Sequence, residues 1–274
     1  MYKRQVVGAI RNQFNLVGNT VDAGTDGDNF MSAEEKAYRE AMKTVASKEA
    51  KDWTLDEQKT AATDIAKNGT SSVVYAKAKA AMDAGTTWSV KLTNGQTMTY
   101  RIIGINHDDL ADGSGKAGLT FLATSTGIRS RMNATDTNAG GWENSELRQK
   151  MNSGEIWSLM PADFQLKVKP VTKMTDNKGG GSVGTPSATT DKVFLLSSTE
   201  AYGDLQFDGA QYEYYHSKGV TKSNYSGASL SIKHWTRSVT PNTSTGFCAL
   251  HSDGSWYSSY ASSSGQTVFP AWCF

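Results

Sequence analysis

The chain has 274 residues, 38% of them hydrophobic, and its 28 Lys and Arg residues almost balance its 27 Asp and Glu residues. No long run of one charge sign occurs, so the basic footprint of a nucleic-acid-binding protein is missing. No apolar stretch approaches the ~18 residues that a membrane-spanning helix needs. We therefore expect no nucleic-acid partner and no membrane insertion.

The start of the chain, residues 1–30, is rich in Gly, Asn and Asp and follows neither a helical nor a strand period. Such a composition is typical of a linker or a disordered arm. Residues 1–5 read MYKRQ and resemble translated adapter sequence of the kind found in metagenomic assemblies. We expect the natural start and any export signal to lie outside this sequence.

A helical segment is predicted over residues 31–85, which are rich in Ala, Lys and Glu. Residues 32–35 (SAEE) and 54–57 (TLDE) each place a hydroxyl three positions before a Glu, the pattern of a capping box at a helix start. The Asn-Gly pair at 68–69 predicts the end of the second helix. A third helix is predicted over 72–83, ended by a glycine.

Two β-hairpins are predicted after this segment. The first covers residues 88–105, with an Asn-Gly turn at 94–95. The second covers residues 246–261, with an Asp-Gly turn at 253–254.

Between the hairpins, the sequence predicts one short helix near 142–151 and one apolar strand at 193–196. Many short strands and few helices indicate an α+β domain over 86–274, preceded by the helical appendage. Because the appendage has its own apolar stripes, we expect a chain that starts near Thr86 to fold by itself.

The sequence lacks the common metal-site motifs and the phosphate-binding loop. Its four histidines show no H-E-x-x-H spacing, and C-x-x-C does not occur. A G-x-S-x-G spacing occurs at 180–184, but it lies in a glycine-rich stretch that is predicted to be a flexible loop. These observations predict a protein that is not an enzyme, with no catalytic residues, no metal site and no cofactor.

Two other features admit more than one interpretation. The acidic loop at 106–115 (NHDDLADGSG) offers oxygen ligands for calcium, but Asp side chains that cap backbone amides in a turn would give the same composition. Cys248 and Cys273 could form a single bridge, or they could be two buried free thiols.

The last forty or so residues, from His234 onward, alternate between two kinds of position. Apolar anchors, turn glycines, small residues and one Arg expected to form an ion pair have the character of a scaffold, and we expect the aromatic anchors to be buried. This predicted scaffold comprises Trp235, Arg237, Phe247, Leu250, Gly254, Ala261, Val268, Pro270, Ala271, Trp272 and Phe274.

Ser, Thr, Tyr, Asn and His dominate the positions between these anchors. Antibody paratopes use the same residue types, with Tyr as rigid contact area and Ser or Asn as adaptable hydrogen-bonding groups. A solvated Ser/Thr-rich loop would have a similar composition. The predicted binding face consists of His234, Thr240, Asn242, Thr243, Thr245, His251, Tyr257, Ser258, Tyr260 and Ser262.

Five motifs in order carry a family resemblance: GINHDDLADGSGKAGLTF, GGWENSELRQKMN, DKVFLLSSTE, WTRS and FPAWCF. Together they resemble phage and gut-bacterial domains with the C-type-lectin fold. Many members are variable proteins of diversity-generating retroelements, and the phage major tropism determinant is a well-known relative. The resemblance spans residues 88–274 and leaves the helical segment uncovered.

The resemblance implies a diversified ligand-binding surface at about 234–267, facing a protein or surface receptor of a host or neighbouring cell. It implies a place on a phage tail or a bacterial cell surface. In such proteins the tail is rewritten at adenines, and Asn codons changed in this way yield the Ser, Tyr, Thr, His, Asp and Gly that are abundant here. Trp256 does not fit this substitution pattern.

The resemblance also leaves two rival functions open. Formylglycine-generating enzymes share the overall fold, although their reactive cysteines lie closer in sequence than Cys248 and Cys273. A structural phage or cell-surface component is the other rival. The E-P-N, Q-P-D and W-N-D motifs of calcium-dependent lectins are missing, so sugar binding through calcium is not expected.

Strict alternation along a strand conflicts with part of this interpretation. It places Phe247 and Leu250 on opposite faces, whereas both are predicted to be core. We therefore expect a bulge within 246–252, and we expect His251, Tyr257 and Tyr260 to be displayed together on one face.

Overall fold

The computed structural model describes residues 31–203 and 208–274. Residues Glu49–Phe274 form one compact unit, which holds all of the sheets, and a separate unit ends at Lys48. The linker predicted over 1–30 lies outside the described residues.

The first helix, α1 (Ala33–Ser47), precedes the large unit. Its N-cap is Ser32, whose hydroxyl accepts a hydrogen bond from the amide of Glu35. The predicted start of this helix is therefore confirmed, because that hydroxyl satisfies an amide that the helix itself leaves without a partner.

The next two helices also begin and end close to where the sequence predicts. Helix α2 (Leu55–Asn68) starts at a complete capping box and ends at Gly69, whose φ is +54°. Helix α3 (Tyr75–Ala84) begins three residues later than expected and ends at Gly85 in the left-handed conformation. Both stops use the freedom of glycine at positive φ.

Short helices connect the strands of the remaining chain. The α-helices are α4 (Glu146–Asn152), α5 (Glu155–Ser158), α6 (Ala162–Gln165), α7 (Ser198–Tyr202) and α8 (Glu213–Ser217), with 3₁₀ turns at Ala50–Asp52, Gly69–Ser71 and Ser226–Ala228. None of the described helices combines the length and apolar character that a bilayer crossing requires.

Three antiparallel sheets hold the strands. The five-stranded sheet has the order β1-β2-β3-β10-β6, β4 pairs with β5, and the third sheet has the order β7-β8-β9. The strands are β1 (Trp88–Lys91), β2 (Thr97–Ile105), β3 (Leu119–Ser125), β4 (Val171–Thr175), β5 (Ser187–Asp191), β6 (Val193–Phe194), β7 (His234–Val239), β8 (Gly246–Leu250), β9 (Trp256–Tyr260) and β10 (Ala271–Cys273). Short helices followed by antiparallel sheets confirm a mixed α and β class.

Both predicted hairpins are present, as β1–β2 and β8–β9. The predicted helix near 142–151 begins only at Glu146, and Trp142 lies in the preceding turn, where its indole donates to Asp191 (3.1 Å). The predicted strand at 193–196 is shorter than expected and ends at Phe194.

The aromatic core of the five-stranded sheet surrounds Trp272 of β10. Its ring lies 5.0 Å from Tyr100, 5.8 Å from Phe121 and 4.9 Å from Phe164, measured between ring centroids. All four rings are fully buried. The predicted burial of Trp272 is confirmed.

Helices α2 and α3 pack directly on this sheet. A Cβ atom at Gly118 would lie 1.9 Å from the carbonyl oxygen of Ala62, so only glycine lets α2 approach the sheet so closely. The hydroxyl of Tyr100 donates to the side chain of Gln58 on α2 (3.0 Å). The compact unit therefore includes α2 and α3, which differs from the domain boundary expected after α3.

Candidate binding surface

The third sheet frames the C-terminal segment, and its central strand β8 is buried along its whole length. Trp235 on β7 and Phe247 on β8 are almost inaccessible, as predicted. Every residue predicted as scaffold in this segment is buried, including both turn and anchor positions. The predicted burial of the anchors is therefore confirmed.

A buried ionic network anchors β7. The guanidinium of Arg237 donates to both carboxylate oxygens of Glu200, one of them at 2.9 Å. Lys173 lies 2.5 Å from Glu200 and 2.5 Å from Asp108, and the hydroxyl of Tyr212 donates to Asp108 (2.9 Å). The predicted ion pair of Arg237 is thus one link in a fully buried chain of charges.

These groups keep their charges despite burial. Burial acts to raise the pKa of Glu200, but the charges of Arg237 and Lys173 outweigh it and hold the pKa below its usual value. Burial likewise opposes ionisation of Asp108, and Lys173 nonetheless holds the pKa of that carboxyl well below its usual range. Paired buried charges of this kind are costly to break from one side.

The acidic loop at 106–115 directs its carboxylates to different protein partners. Asp108 belongs to the buried network, Asp109 pairs with Lys116 (2.9 Å), and Asp112 accepts from the amide of Ser114 (2.9 Å). The Asp112 contact is the backbone cap that the turn interpretation predicts. Among residues 31–203 and 208–274, no group of three or more His, Cys, Asp or Glu side chains is arranged to hold a metal ion.

Cys248 and Cys273 are both free and buried, which confirms the interpretation as two separate thiols. Burial raises the pKa of the Cys248 thiol. Burial and the neighbouring Asp108 raise the pKa of the Cys273 thiol well above its usual value. Both sulfurs are therefore protonated at neutral pH.

The side chain of Asn138 bonds to backbone atoms of the turn between β7 and β8. Its side-chain amide donates to the carbonyl oxygens of Thr243 (2.9 Å) and Gly246 (2.7 Å). Its side-chain oxygen accepts from the amide of Gly180 (2.8 Å). This fully buried side chain thus joins two loops through their main-chain atoms, so its bonds do not depend on which side chains those loops carry.

The turn after β9 is held in the same way. The amides of Met132 and Asn133 both donate to the carbonyl oxygen of Ala261, at 2.9 and 3.0 Å. The carboxylate of Asp136 accepts from the amide of Ser262 (3.1 Å). Segment 132–136 therefore fixes the path of the tail through main-chain atoms.

The turn between β8 and β9 has equivalent supports. Tyr202 donates its hydroxyl to the carbonyl oxygen of Gly254, and Ser229 donates to that of Ser252 (2.5 Å). Gly254 has φ +91°, and a Cβ there would lie 2.3 Å from the carbonyl oxygen of Tyr225. This predicted turn glycine is required by both conformation and space.

The predicted binding-face residues differ widely in exposure. Three are exposed: Asn242, Ser258 and Tyr260. Five are partly exposed: Thr243, Thr245, His251, Tyr257 and Ser262. Two are buried: His234 and Thr240.

The expectation that His234 and Thr240 are displayed is therefore wrong. The imidazole of His234 packs edge-on against Phe269 (5.0 Å between ring centroids) and bonds to the carbonyl of Ile232 (2.9 Å). Burial lowers its pKa to about 4. The hydroxyl of Thr240 accepts from Ser258 (3.0 Å), so it supports a neighbour instead of facing solvent.

The remaining residues do not share one face of the hairpin. Strands β8 and β9 pair without a register shift, with Tyr257 opposite Ala249 and Tyr260 opposite Gly246. Residues an odd number of positions apart point to opposite faces, so the two tyrosines do so as well. His251 stacks on Tyr257, 4.0 Å between ring centroids, and belongs to the same side. The expectation of a shared face is wrong.

The irregularity expected within 246–252 lies elsewhere. The register shifts on β7, between Trp235 and Val239, while β8 keeps its alternation. Phe247 and Leu250 are both buried because the central strand is covered on both faces, so no bulge in β8 is needed.

Several of the exposed and partly exposed residues instead lie along one strand, β9. Because β9 is the outermost strand of its sheet, side chains from both of its faces reach solvent. We call Trp256, Tyr257, Ser258 and Tyr260 the β9 rim. Trp256 lies on this rim although it does not fit the pattern of adenine-directed change. The ammonium of Lys222 lies 4.4 Å from the centroid of its ring.

A cleft of about 690 Å³ lies apart from the tail. It is lined by residues from the start of α2 and from β1 and β2, including Trp53, Trp88 and Tyr100. None of the predicted binding-face residues lines it.

Residues 117–274 match a family described as Domain of unknown function (DUF6273). The chain belongs to this family. The DUF6273 region begins just before β3 and includes the whole third sheet, so the binding-face candidates all lie inside it. No curated protein and no solved structure matches the chain.

Replacing Asn138 with Ala is expected to destabilise the folded protein by about 1–3 kcal/mol per buried group left without a partner. The reason is that the carbonyl of Thr243 and the amide of Gly180 lose their hydrogen bonds, while the carbonyl of Gly246 keeps only the bond from the amide of Thr240. Urea unfolding of the purified variants would measure this. Asn138→Asp keeps the shape and the acceptor for Gly180 but turns an oxygen toward both carbonyls, so its loss is expected to be at least as large as that of Asn138→Ala. A loss below about 0.5 kcal/mol for Asn138→Ala would contradict the role given to this side chain.

Proposed function

We propose that this DUF6273 protein is a non-enzymatic binding protein whose C-terminal segment, about 234–267, is a diversified ligand-binding surface. The observation that carries the proposal is the way in which the tail is held. Its turns are fixed through main-chain atoms by groups from other segments, namely Asn138, Met132, Asp136 and Tyr202. Side chains can then change without disturbing the turns.

The displayed side chains complement this support. Tyr260 is 64% exposed, and within the described residues neither its hydroxyl nor the amide of Asn242 makes a hydrogen bond. The side chain of Tyr260 is therefore free to vary and to bind, whereas the left-handed backbone at Asn242 (φ +59°) favours Asn, Asp or Gly at that position. Tyr, Ser and Asn are also the residue types that paratopes favour.

The proposed scaffold is a C-type-lectin-like domain. Its support is that the motifs behind the resemblance supply the buried framework and not the exposed rim. WTRS contributes the buried Trp235 and Arg237, and FPAWCF contributes β10, an inner strand of the large sheet. Framework motifs and variable side chains thus occupy different places, as in the variable proteins of diversity-generating retroelements.

The chemistry of the thiols favours binding over formylglycine-type catalysis. A reactive cysteine needs an accessible thiolate with a lowered pKa. Cys248 and Cys273 are buried, and both have raised pKa values.

The partner we propose is a protein or surface receptor of a host or neighbouring cell, met from a phage tail or a bacterial surface. A standard protein interface covers about 800 Å² on each partner. The β9 rim together with the flanking turns at 241–245 and 251–255 offers the exposed residues for such a contact.

Sequencing many natural copies of the locus would test the proposal. We expect a reverse transcriptase gene nearby and a near-copy of the tail that differs at adenines. We expect substitutions at displayed positions such as Ser258 and Tyr260, while Trp235 and Trp272 stay fixed because they are buried.

Two outcomes would contradict diversification. One is a locus with neither a reverse transcriptase gene nor a near-copy of the tail. The other is a set of substitutions spread evenly over buried and exposed positions, as expected for a structural component whose tail is a solvated surface.

A further inference from the structure

The two outer strands of the third sheet differ in how their free edges are used. On β7, the amide of Trp235 donates to the carbonyl of Thr267 (3.2 Å) and that of Arg237 donates to the carbonyl of Leu196 (2.9 Å). Neighbouring segments therefore cover this edge. The other outer strand, β9, pairs only with β8 among the described strands.

The register identifies which backbone groups of β9 point outward. The pairs that flank the hairpin are hydrogen-bonded, since His251 donates to Ser255 (2.7 Å) and Ala261 donates to Thr245 (2.9 Å). In an antiparallel ladder, hydrogen-bonded pairs alternate with pairs whose backbone amides and carbonyls point away from the neighbouring strand.

By this alternation, the amides and carbonyls of Trp256 and Ser258 point to the free edge. Within residues 31–203 and 208–274, no backbone group is bonded to them. The carbonyl of Tyr260 accepts from Ser263 (2.9 Å), and its amide also faces outward.

The residues of β9 themselves carry none of the features that usually protect an outer strand. Proteins commonly block a free edge with charged residues, prolines or bulges. No Asp, Glu, Lys or Arg occurs after Asp253 in the sequence, β9 contains no proline, and its pairing is regular. The free edge of β9 can therefore pair with the backbone of another strand.

Two lysines flank the edge, one on each side. The ammonium of Lys222 lies 4.4 Å above the ring of Trp256, and that of Lys233 lies 5.9 Å from the ring of Tyr257. Both lysines are exposed, and neither forms an ion pair within the described part of the chain. Because Trp256 and Tyr257 point to opposite faces, both faces of the edge carry an uncompensated positive charge.

We propose that a partner protein docks by adding an extended acidic segment to the free edge of β9. Its backbone pairs with Trp256 and Ser258, and carboxylates on adjacent residues face Lys222 and Lys233. Strand addition draws affinity from the main chain and specificity from alternate side chains. The inference rests on the proposed binding function and specifies its mode: a fixed backbone contact surrounded by side chains that vary.

The test uses the full chain and a library of random linear peptides, from which binders are selected. We expect selected peptides to carry adjacent acidic residues. Ser258→Pro removes the outward amide and leaves the bonds to β8 intact, so we expect the best peptide to bind about tenfold more weakly or worse. Ser258→Ala, the matched variant, keeps the backbone amide and removes only the hydroxyl, so its comparison with Ser258→Pro isolates the contribution of that amide.

A second measurement keeps the test independent of how the Pro variant folds. The selected peptide is N-methylated at single positions and bound to the unaltered protein. Methyl groups at alternate positions are expected to abolish binding, because only alternate amides face β9. Replacing both Lys222 and Lys233 with Glu is expected to remove the preference for acidic peptides.

The outcomes separate the mode from the function. Equal binding by Ser258→Pro and Ser258→Ala, or tolerance of methylation at every position, would overturn strand addition. If Tyr260→Ala then abolished binding, side-chain docking would replace it and the proposed function would stand. Failure to select any peptide would also overturn strand addition, whereas diversification is judged separately from the natural copies of the locus.

Discussion

Replacing Arg237 with Met is expected to lower the free energy of unfolding by about 3–5 kcal/mol. The guanidinium is inaccessible to solvent and forms two hydrogen bonds to Glu200. It also donates to the carbonyl oxygens of Leu195, Met174 and Asp208, at 2.8, 3.1 and 3.0 Å. Its removal leaves all of these acceptors short of a donor in the interior. Guanidinium-chloride unfolding followed by fluorescence would measure the loss.

Two further variants test this explanation. Lys79→Ala removes an exposed pair with Asp83 on α3 (2.6 Å) and is expected to cost less than 1 kcal/mol. In a double-variant cycle, Arg237→Met combined with Glu200→Gln should cost less than the sum of the single changes, because the pair is lost only once. A cost for Arg237→Met no larger than that of Lys79→Ala would show that the network is not needed for stability.

A chain shortened to begin at Thr86 is expected to show no cooperative thermal transition. Without α2 and α3, the face of the sheet around Tyr100 loses its cover, and the close contact at Gly118 loses its partner. This expectation reverses the one drawn from the sequence. Calorimetry and circular dichroism would measure the transition.

The matched control is a chain that begins at Glu49, the first residue of the compact unit. It keeps Ala50, whose carbonyl accepts from the indole of Trp88 (3.1 Å), and it should melt cooperatively. If the chain starting at Thr86 melted with the same sharpness and enthalpy, the helices would be an appendage after all.

Features that depend on neighbouring residues could be predicted from the sequence. Capping boxes, glycine stops and the two hairpin turns depend on residues within a few positions of each other, so their sequences predict them closely. Strands β3 and β10 were not predicted. They pair with each other across about half of the chain, and a three-residue strand such as β10 carries too little periodicity to predict.

The binding surface was predicted in part for a similar reason. The burial of anchors such as Trp235 can be predicted from their size and apolarity. His234 and Thr240 are polar, and the segment and the strand that bury them are not adjacent in sequence, so local sequence does not predict their burial. Tyr257 and Tyr260 were expected on one face, but the regular alternation along β9 places them on opposite faces. For this hairpin, the period of the strand was a better guide than the resemblance.

The position of β10 has a consequence for how the protein is made. This strand lies between β3 and β6, so the large sheet cannot be completed until residues 271–273 have left the ribosome. Folding of the compact unit must therefore follow synthesis of the tail, through contacts distant in sequence. If the tail is diversified as proposed, a variant cut short before Ala271 would lack the joining strand and would misfold.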